Sequence, residues 1–133
     1  IKSSAASDVY KRQLEAHKAA YQKGGEWLCQ LKEYLDGNFA FMKEYFSENA
    51  KAVGCYIPEA TYLAWVDMNK ALPEVEDLCD FFANEAGVLL EGGDGLFVGN
   101  AKGFVRLNLA MPRSILAEGF KRMAEAIKKQ NAK

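Results

Sequence analysis

Histidine is almost missing from this 133-residue chain: His17 is the only one. Any Ser/His/Asp or Cys/His set would have to use His17, which falls on a polar helical face far in sequence from Cys55 and Cys79, and a zinc site needs more ligands than one imidazole. Cysteine is scarce too. Cys29, Cys55 and Cys79 are odd in number and far apart, which suits buried thiols in a reducing cytosol better than disulfides or metal ligation. Neither sign of charge dominates: 17 basic against 18 acidic side chains leave a formal net charge of −1, and the one basic doublet is Lys128-Lys129. That balance argues against a nucleic-acid partner. No apolar run approaches the roughly 20 residues a membrane span needs, and no signal-peptide core is visible, so no membrane role is expected. What remains is ordinary globular material, 50% hydrophobic and 26% charged, long enough for one domain that buries about two-thirds of its unfolded surface.

The organisation along the chain is legible from periodicity. Residues 1–13, with Ser3-Ser4-Ala5-Ala6-Ser7, show no helical or strand period. They read as a disordered lead-in that could be foreign to the protein, and a start without methionine fits a fragment. Helical patterning begins at Leu14. Gly24-Gly25 interrupts it, each glycine costing about 1 kcal/mol inside a helix. A long helix follows, with Leu28, Leu31, Leu35, Phe39, Met42 and Phe46 on one stripe. That stripe is longer than a small sheet can cover, so part of it should stay exposed in this chain. Residues 14–52 are therefore read as long connecting helices, and 53–133 as a small α+β domain.

Within the latter, Val53–Ile57 and Tyr62–Met68 are strand candidates. Leu72-Pro73-Glu74 suggests a helix start, with Val75, Leu78, Cys79, Phe82 and Ala86 on its buried side and Gly87 as its stop. Val88-Leu89-Leu90 reads as a third strand. The glycine-rich stretch Gly92–Asn100 leads towards another strand rather than into a helix, and its spacing is not Gly-x-Gly-x-x-Gly, so a wide connection is expected rather than a phosphate cradle. Phe104–Ala110 is the fourth strand. Pro112 ends it, Ser114 is the expected N-cap of the last helix, and Leu116, Phe120, Met123 and Ile127 form that helix's core stripe. The fold class is α+β: a small antiparallel or mixed sheet with helices packed on one face, preceded by a long connecting helix.

The stretch Gly103-Phe104-Val105-Arg106-Leu107-Asn108-Leu109-Ala110-Met111-Pro112-Arg113-Ser114 carries the most chemistry. Strand alternation puts Val105, Leu107 and Leu109 on one face and Phe104, Arg106 and Asn108 on the other. The first set should meet the helices. Arg106 then sits inside an apolar strand and must find an anion, because its guanidinium keeps its proton and is costly to bury unpaired. Its planar fork matches a carboxylate. Spacing alone favours a structural salt bridge to one of the acidic residues over a ligand carboxylate.

Three blocks alter that balance. They are Ala20-Tyr21-Gln22-Lys23-Gly24-Gly25-Glu26-Trp27-Leu28 running on through Leu31, Tyr34, Leu35 and Asn38; Ile57-Pro58-Glu59-Ala60-Thr61-Tyr62-Leu63-Ala64-Trp65-Val66-Asp67; and Gly103–Ser114. Together, in order and spacing, they resemble the C-terminal segment of a pyridoxal-phosphate enzyme of fold type I, in the class I/II aminotransferase family. The nearest branch is that of the cystathionine β-lyases, or C–S lyases. Ala60 departs from the glycine that branch places before Thr-Tyr, and Glu91–Gly99 departs from its usual loop.

The resemblance implies a small C-terminal domain whose Arg106 binds the α-carboxylate of an amino-acid substrate. It implies pyridoxal 5'-phosphate as cofactor, held mainly outside this segment by a lysine and an acidic partner that the chain lacks. No lysine here is nominated for that role, no catalytic residue is assigned to this segment, and no metal is expected. Asn108 is expected to support the strand end, and Arg113 to pair with acids at the surface. The implied full-length enzyme is a cytoplasmic homodimer that cleaves cystathionine or cysteine conjugates to thiol, pyruvate and ammonia, with this segment inactive alone. Two other readings stand beside it: a pyridoxal-phosphate aminotransferase, and a non-catalytic α+β module that binds amino acids.

Overall fold

The computed structural model describes residues 4–96 and 99–132. The described residues form two compact units, one within residues 1–34 and one within residues 35–133.

The first unit is helical. Helix α1 runs over Ser4–Lys23, and helix α2, Gly25–Asn49, begins in this unit and continues into the next. Helix therefore occupies residues 4–13, where an unordered lead-in is expected. No glycine or proline falls between Ser4 and Lys23, so nothing stops the helix from propagating backwards through the alanines. Gly24 does separate the two helices, yet its N–H still donates to the Ala20 carbonyl at 2.9 Å, and its own carbonyl accepts from Leu28 at the same distance. Tyr10, Leu14, Tyr21, Trp27 and Leu28 are all exposed. His17 is exposed as well, its Nδ1 2.8 Å from the Gln13 carbonyl oxygen.

The second unit holds the core. It takes in α2 from Leu35 onward, with Phe39, Met42 and Phe46 buried in the same cluster as the sheet. Four strands follow: β1 (Gly54–Tyr56), β2 (Leu63–Asp67), β3 (Glu91–Gly92) and β4 (Phe104–Asn108). Their spatial order is β1-β2-β4-β3, and every neighbouring pair is antiparallel. Helix α3 (Leu78–Ala86), a short turn of helix α4 (Gly93–Leu96) and helix α5 (Arg113–Asn131) complete the α+β fold. Ala64, Val66, Val105 and Leu107 alternate inward and meet Phe82 of α3 and Leu116, Phe120, Met123 and Ile127 of α5. The α5 stripe is the one expected from its sequence.

Three boundaries move. Helix α3 starts at Leu78 and not at Leu72, because the Asp77 carboxylate accepts from the Asp80 N–H at 2.9 Å and so caps the helix there. Residues 68–75 form turns, with Leu72 N–H donating to the Met68 carbonyl at 2.8 Å. The third strand begins at Glu91 and not at Val88. Gly87 ends α3 in a left-handed conformation (φ 61°), Val88 N–H turns back to the Phe82 carbonyl, and the Leu90 carbonyl accepts from the Cys79 thiol at 3.2 Å. Those groups are spent before pairing with β4 can start. Helix α5 begins at Arg113 behind Pro112, so Ser114 lies in its first turn and is not its cap.

Gly103 (φ 78°) sets up β4. A side chain there would overlap the Asn69 amide, whose Nδ2 bonds Asp67 Oδ1 at 2.8 Å and the Lys102 carbonyl at 3.1 Å. Of the glycine-rich connection, Phe97 and Val98 lie outside the described residues, and its helical turn is four residues long. No helix among the described residues is long and apolar enough to cross a membrane.

Candidate functional site

Strand register gathers the site. Trp65 lies opposite Arg106 on β2, Glu91 lies opposite Arg106 on β3, and Tyr56 lies opposite Trp65 on β1. Residues that face each other across antiparallel strands project to the same side. Tyr56, Trp65, Arg106 and Glu91 thus form one row across the sheet, on the face turned away from the buried Val105 and Leu107. Trp65 also meets Phe104 edge-on, ring centroids 6.0 Å apart at 86°.

Arg106 is where alternation puts it, on the face opposite the helix core. It is not idle there. Its guanidinium is ion-paired with Glu91, the Arg106 side chain being 26% exposed and that of Glu91 51%. The acid that spacing alone favours as its partner is therefore present, and it stands on the open side of the sheet. A groove of about 1050 Å³ counts both residues of this pair among its lining, with Leu107 and Asn108 of β4 and residues of α5. Its walls are mainly apolar, with Tyr62, Leu89, Met111 and Ile115 among the lining residues. Thr61, just before Tyr62, sits at φ 73°, an uncommon conformation for a β-branched residue.

The end of β4 is fixed by two residues. Asn108 Oδ1 accepts from Ala110 N–H at 2.9 Å, the strand-end support expected of it. Asn38 of α2 is completely buried and donates its Nδ2 to the Leu109 carbonyl at 2.8 Å and to the Met111 carbonyl at 3.1 Å. Its Oδ1 accepts from Arg113 Nε at 3.1 Å. Arg113 thus turns towards α2: its guanidinium packs over Gly37 and lies 5.9 Å from the centre of the Phe41 ring. In the sequence Asn38 is a visible anomaly, a polar amide three positions after Leu35 on an apolar stripe.

The thiols lie elsewhere. Cys55 packs against the core, and burial pushes its thiol up to about 11. Cys79 is also raised, chiefly by burial and further by the Asp77 carboxylate. Cys29 alone is exposed. Alkylation of the folded chain at pH 8 should modify Cys29 first and leave Cys55 untouched until denaturant is added, a sequence that peptide mapping reads directly. Early modification of Cys55 would contradict the packing described.

A pyridoxal-phosphate site needs a lysine for its Schiff base, activated by a desolvated pocket or a neighbouring cation. Every lysine from Lys11 to Lys129 is exposed at the surface. The residues of this chain do not by themselves fit that group.

No family model matches the chain. Among curated proteins it is similar to MalY of Escherichia coli (strain K12), 33% identical over 115 residues that cover 86% of this chain and 29% of that protein. It is also similar to the cystathionine beta-lyase PatB of Bacillus subtilis (strain 168), 31% identical over 112 residues, covering 84% and 29% respectively. Among solved structures, the pyridoxal-phosphate-bound C–S lyase from Staphylococcus hominis matches with a TM-score of 0.77 and 39% identity, over 82% of this chain and 29% of that one. The chain thus spans 29% of the length of these relatives. In sequence and in fold the chain is similar to one part of these pyridoxal-phosphate-bound lyases. Proteins named as C–S lyases and cystathionine β-lyases are among those it is similar to.

Proposed function

We propose that this chain is the carboxylate-binding segment of a pyridoxal-phosphate-dependent C–S β-lyase, one that splits cystathionine or a related cysteine conjugate into a thiol, pyruvate and ammonia. The observation that carries the reading is Arg106, a part-exposed side chain on the open sheet face that also lines a largely apolar groove. When bound, the cofactor supplies an electron sink for the substrate Cα. The part played by this chain is binding and orientation. A two-point grip by Arg106 on the α-carboxylate removes the substrate's freedom to rotate, which is the positioning contribution to rate. Tyr62, Met111 and Ile115 offer apolar contact beside that grip and displace water from it. The cofactor lysine and its acidic partner belong outside residues 1–133, so the segment alone has no lyase activity.

The relatives named above support the lyase assignment, and three unpaired cysteines suit a cytoplasmic protein. Homodimer formation is proposed on the family resemblance alone. The test is to express the complete reading frame that carries this chain and to supply cystathionine. Thiol and pyruvate should appear together without any added keto acid. Amino transfer that depends on a keto acid would reassign the protein to the aminotransferases, and saturable amino-acid binding without turnover would make it a binding module.

A further inference from the structure

The partner that Arg106 already holds has consequences for what the site selects. Glu91 faces Arg106 directly across β3 and β4, and one of its carboxylate oxygens accepts from Arg106 Nη2. Its carboxylate is the same functional group as the ligand that the proposed reading assigns to that guanidinium. A ligand carboxylate gripped at two points that include Nη2 must share the nitrogen that Glu91 already holds, and both carboxylates are negative. We infer that Glu91 is a specificity-determining residue: an internal carboxylate that competes with the ligand's for Arg106 and, once displaced, remains beside the bound ligand as a negative charge. The inference rests on reading Arg106 as a carboxylate anchor.

Three features support displacement rather than a permanent lock. Half of the Glu91 side chain is exposed, so water can take over its hydrogen bonds when the pair opens. Strand β3 is only two residues long and sits at the sheet edge, so Glu91 is tied to the fold by few bonds. Gly92 follows it, packed so closely on Cys79 that a Cβ there would lie 2.9 Å from the sulfur, which anchors the strand while leaving the Glu91 side chain to move.

Two effects follow. Competition weakens every carboxylate ligand by the strength of the exposed pair, about two- to fivefold. The displaced charge then disfavours ligands with a second carboxylate near the first, about threefold or more at distances of several ångströms and surface-like dielectric. The site is thereby biased towards amino acids with neutral or apolar side chains.

The experiment is an NMR titration of the 15N-labelled 133-residue chain with acetate, L-alanine and L-aspartate, following the Arg106 Nε–H signal. Glu91→Gln should tighten acetate and alanine about two- to fivefold and aspartate by at least threefold more than alanine. Glu91→Asp, which keeps the charge, should stay near the wild type in its preference for alanine over aspartate. Equal affinities in wild type and Glu91→Gln, with binding lost in Arg106→Gln, would overturn the competition and leave the carboxylate anchor standing. Binding that survives Arg106→Gln, or no saturable binding in any variant, would overturn the anchor itself and the inference with it. Glu91→Ala provides a second uncharged variant should Glu91→Gln disturb the edge strand, which the amide spectrum reports.

Discussion

Replacing Asn38 by alanine should remove about 3 kcal/mol of folding stability, one of the largest losses available from a single polar side chain in this molecule. The side chain has no exposure at all and makes three hydrogen bonds, two to the carbonyls of Leu109 and Met111 and one from Arg113 Nε. A buried hydrogen bond contributes only about 1 kcal/mol when made, but the partner left unsatisfied costs about 1–3 kcal/mol. The Leu109 carbonyl is the exacting case, because Leu109 is itself fully buried. Thermal or urea unfolding measures the loss, and a value below about 1 kcal/mol would mean that water or relaxation replaces the amide. Asn38→Asp is the sharper variant. It keeps an acceptor for Arg113 but turns an oxygen towards two carbonyl oxygens, so it should be no more stable than Asn38→Ala despite its near-identical shape.

That side chain also illustrates what the sequence made legible and what it did not. Two-residue alternation along Phe104–Asn108 was sufficient to separate Val105 and Leu107 from Arg106, and three- to four-residue spacing was sufficient to find Phe39, Met42 and Phe46, and Leu116 to Ile127. Gly87 announced the end of α3, because only a residue at ease with positive φ closes a helix that way. Those signals are local and periodic. The failures are places where two local signals competed. Pro73 with Glu74 resembles a helix start, yet Asp77 supplies a side-chain acceptor and outcompetes it. Val88-Leu89-Leu90 has strand composition, yet the helix cap takes the Val88 N–H and Cys79 takes the Leu90 carbonyl. Residues 4–13 lack an amphipathic period, and helix propagates through them all the same. The Glu91–Arg106 pair is a different case. An ion pair 15 residues apart depends on a strand register that no local pattern specifies, so the sequence could announce that Arg106 needs an anion but could not say which one.

The pair makes the decisive experiment quantitative. In the complete protein, Arg106→Gln should lower kcat/KM for cystathionine cleavage on the order of a hundred- to a thousandfold, which corresponds to about 3–4 kcal/mol. Truncating one partner of a hydrogen-bonded charge pair at a desolvated interface removes about 2–5 kcal/mol. The folded state should notice far less. Glu91 is half exposed, so losing its contact with Arg106 changes stability by no more than about 1 kcal/mol. Arg106→Lys separates charge from shape: it retains the cation but not the fork, so it should recover part of the affinity while leaving turnover well below wild type, because a point charge does not fix the rotation of the substrate. A structural salt bridge predicts the reverse ordering, with stability falling and catalysis following only as folded protein is lost. Melting curves and kcat/KM measured on the same preparations therefore discriminate the two roles of this arginine, since only a ligand-binding guanidinium lets activity collapse while the fold stays intact.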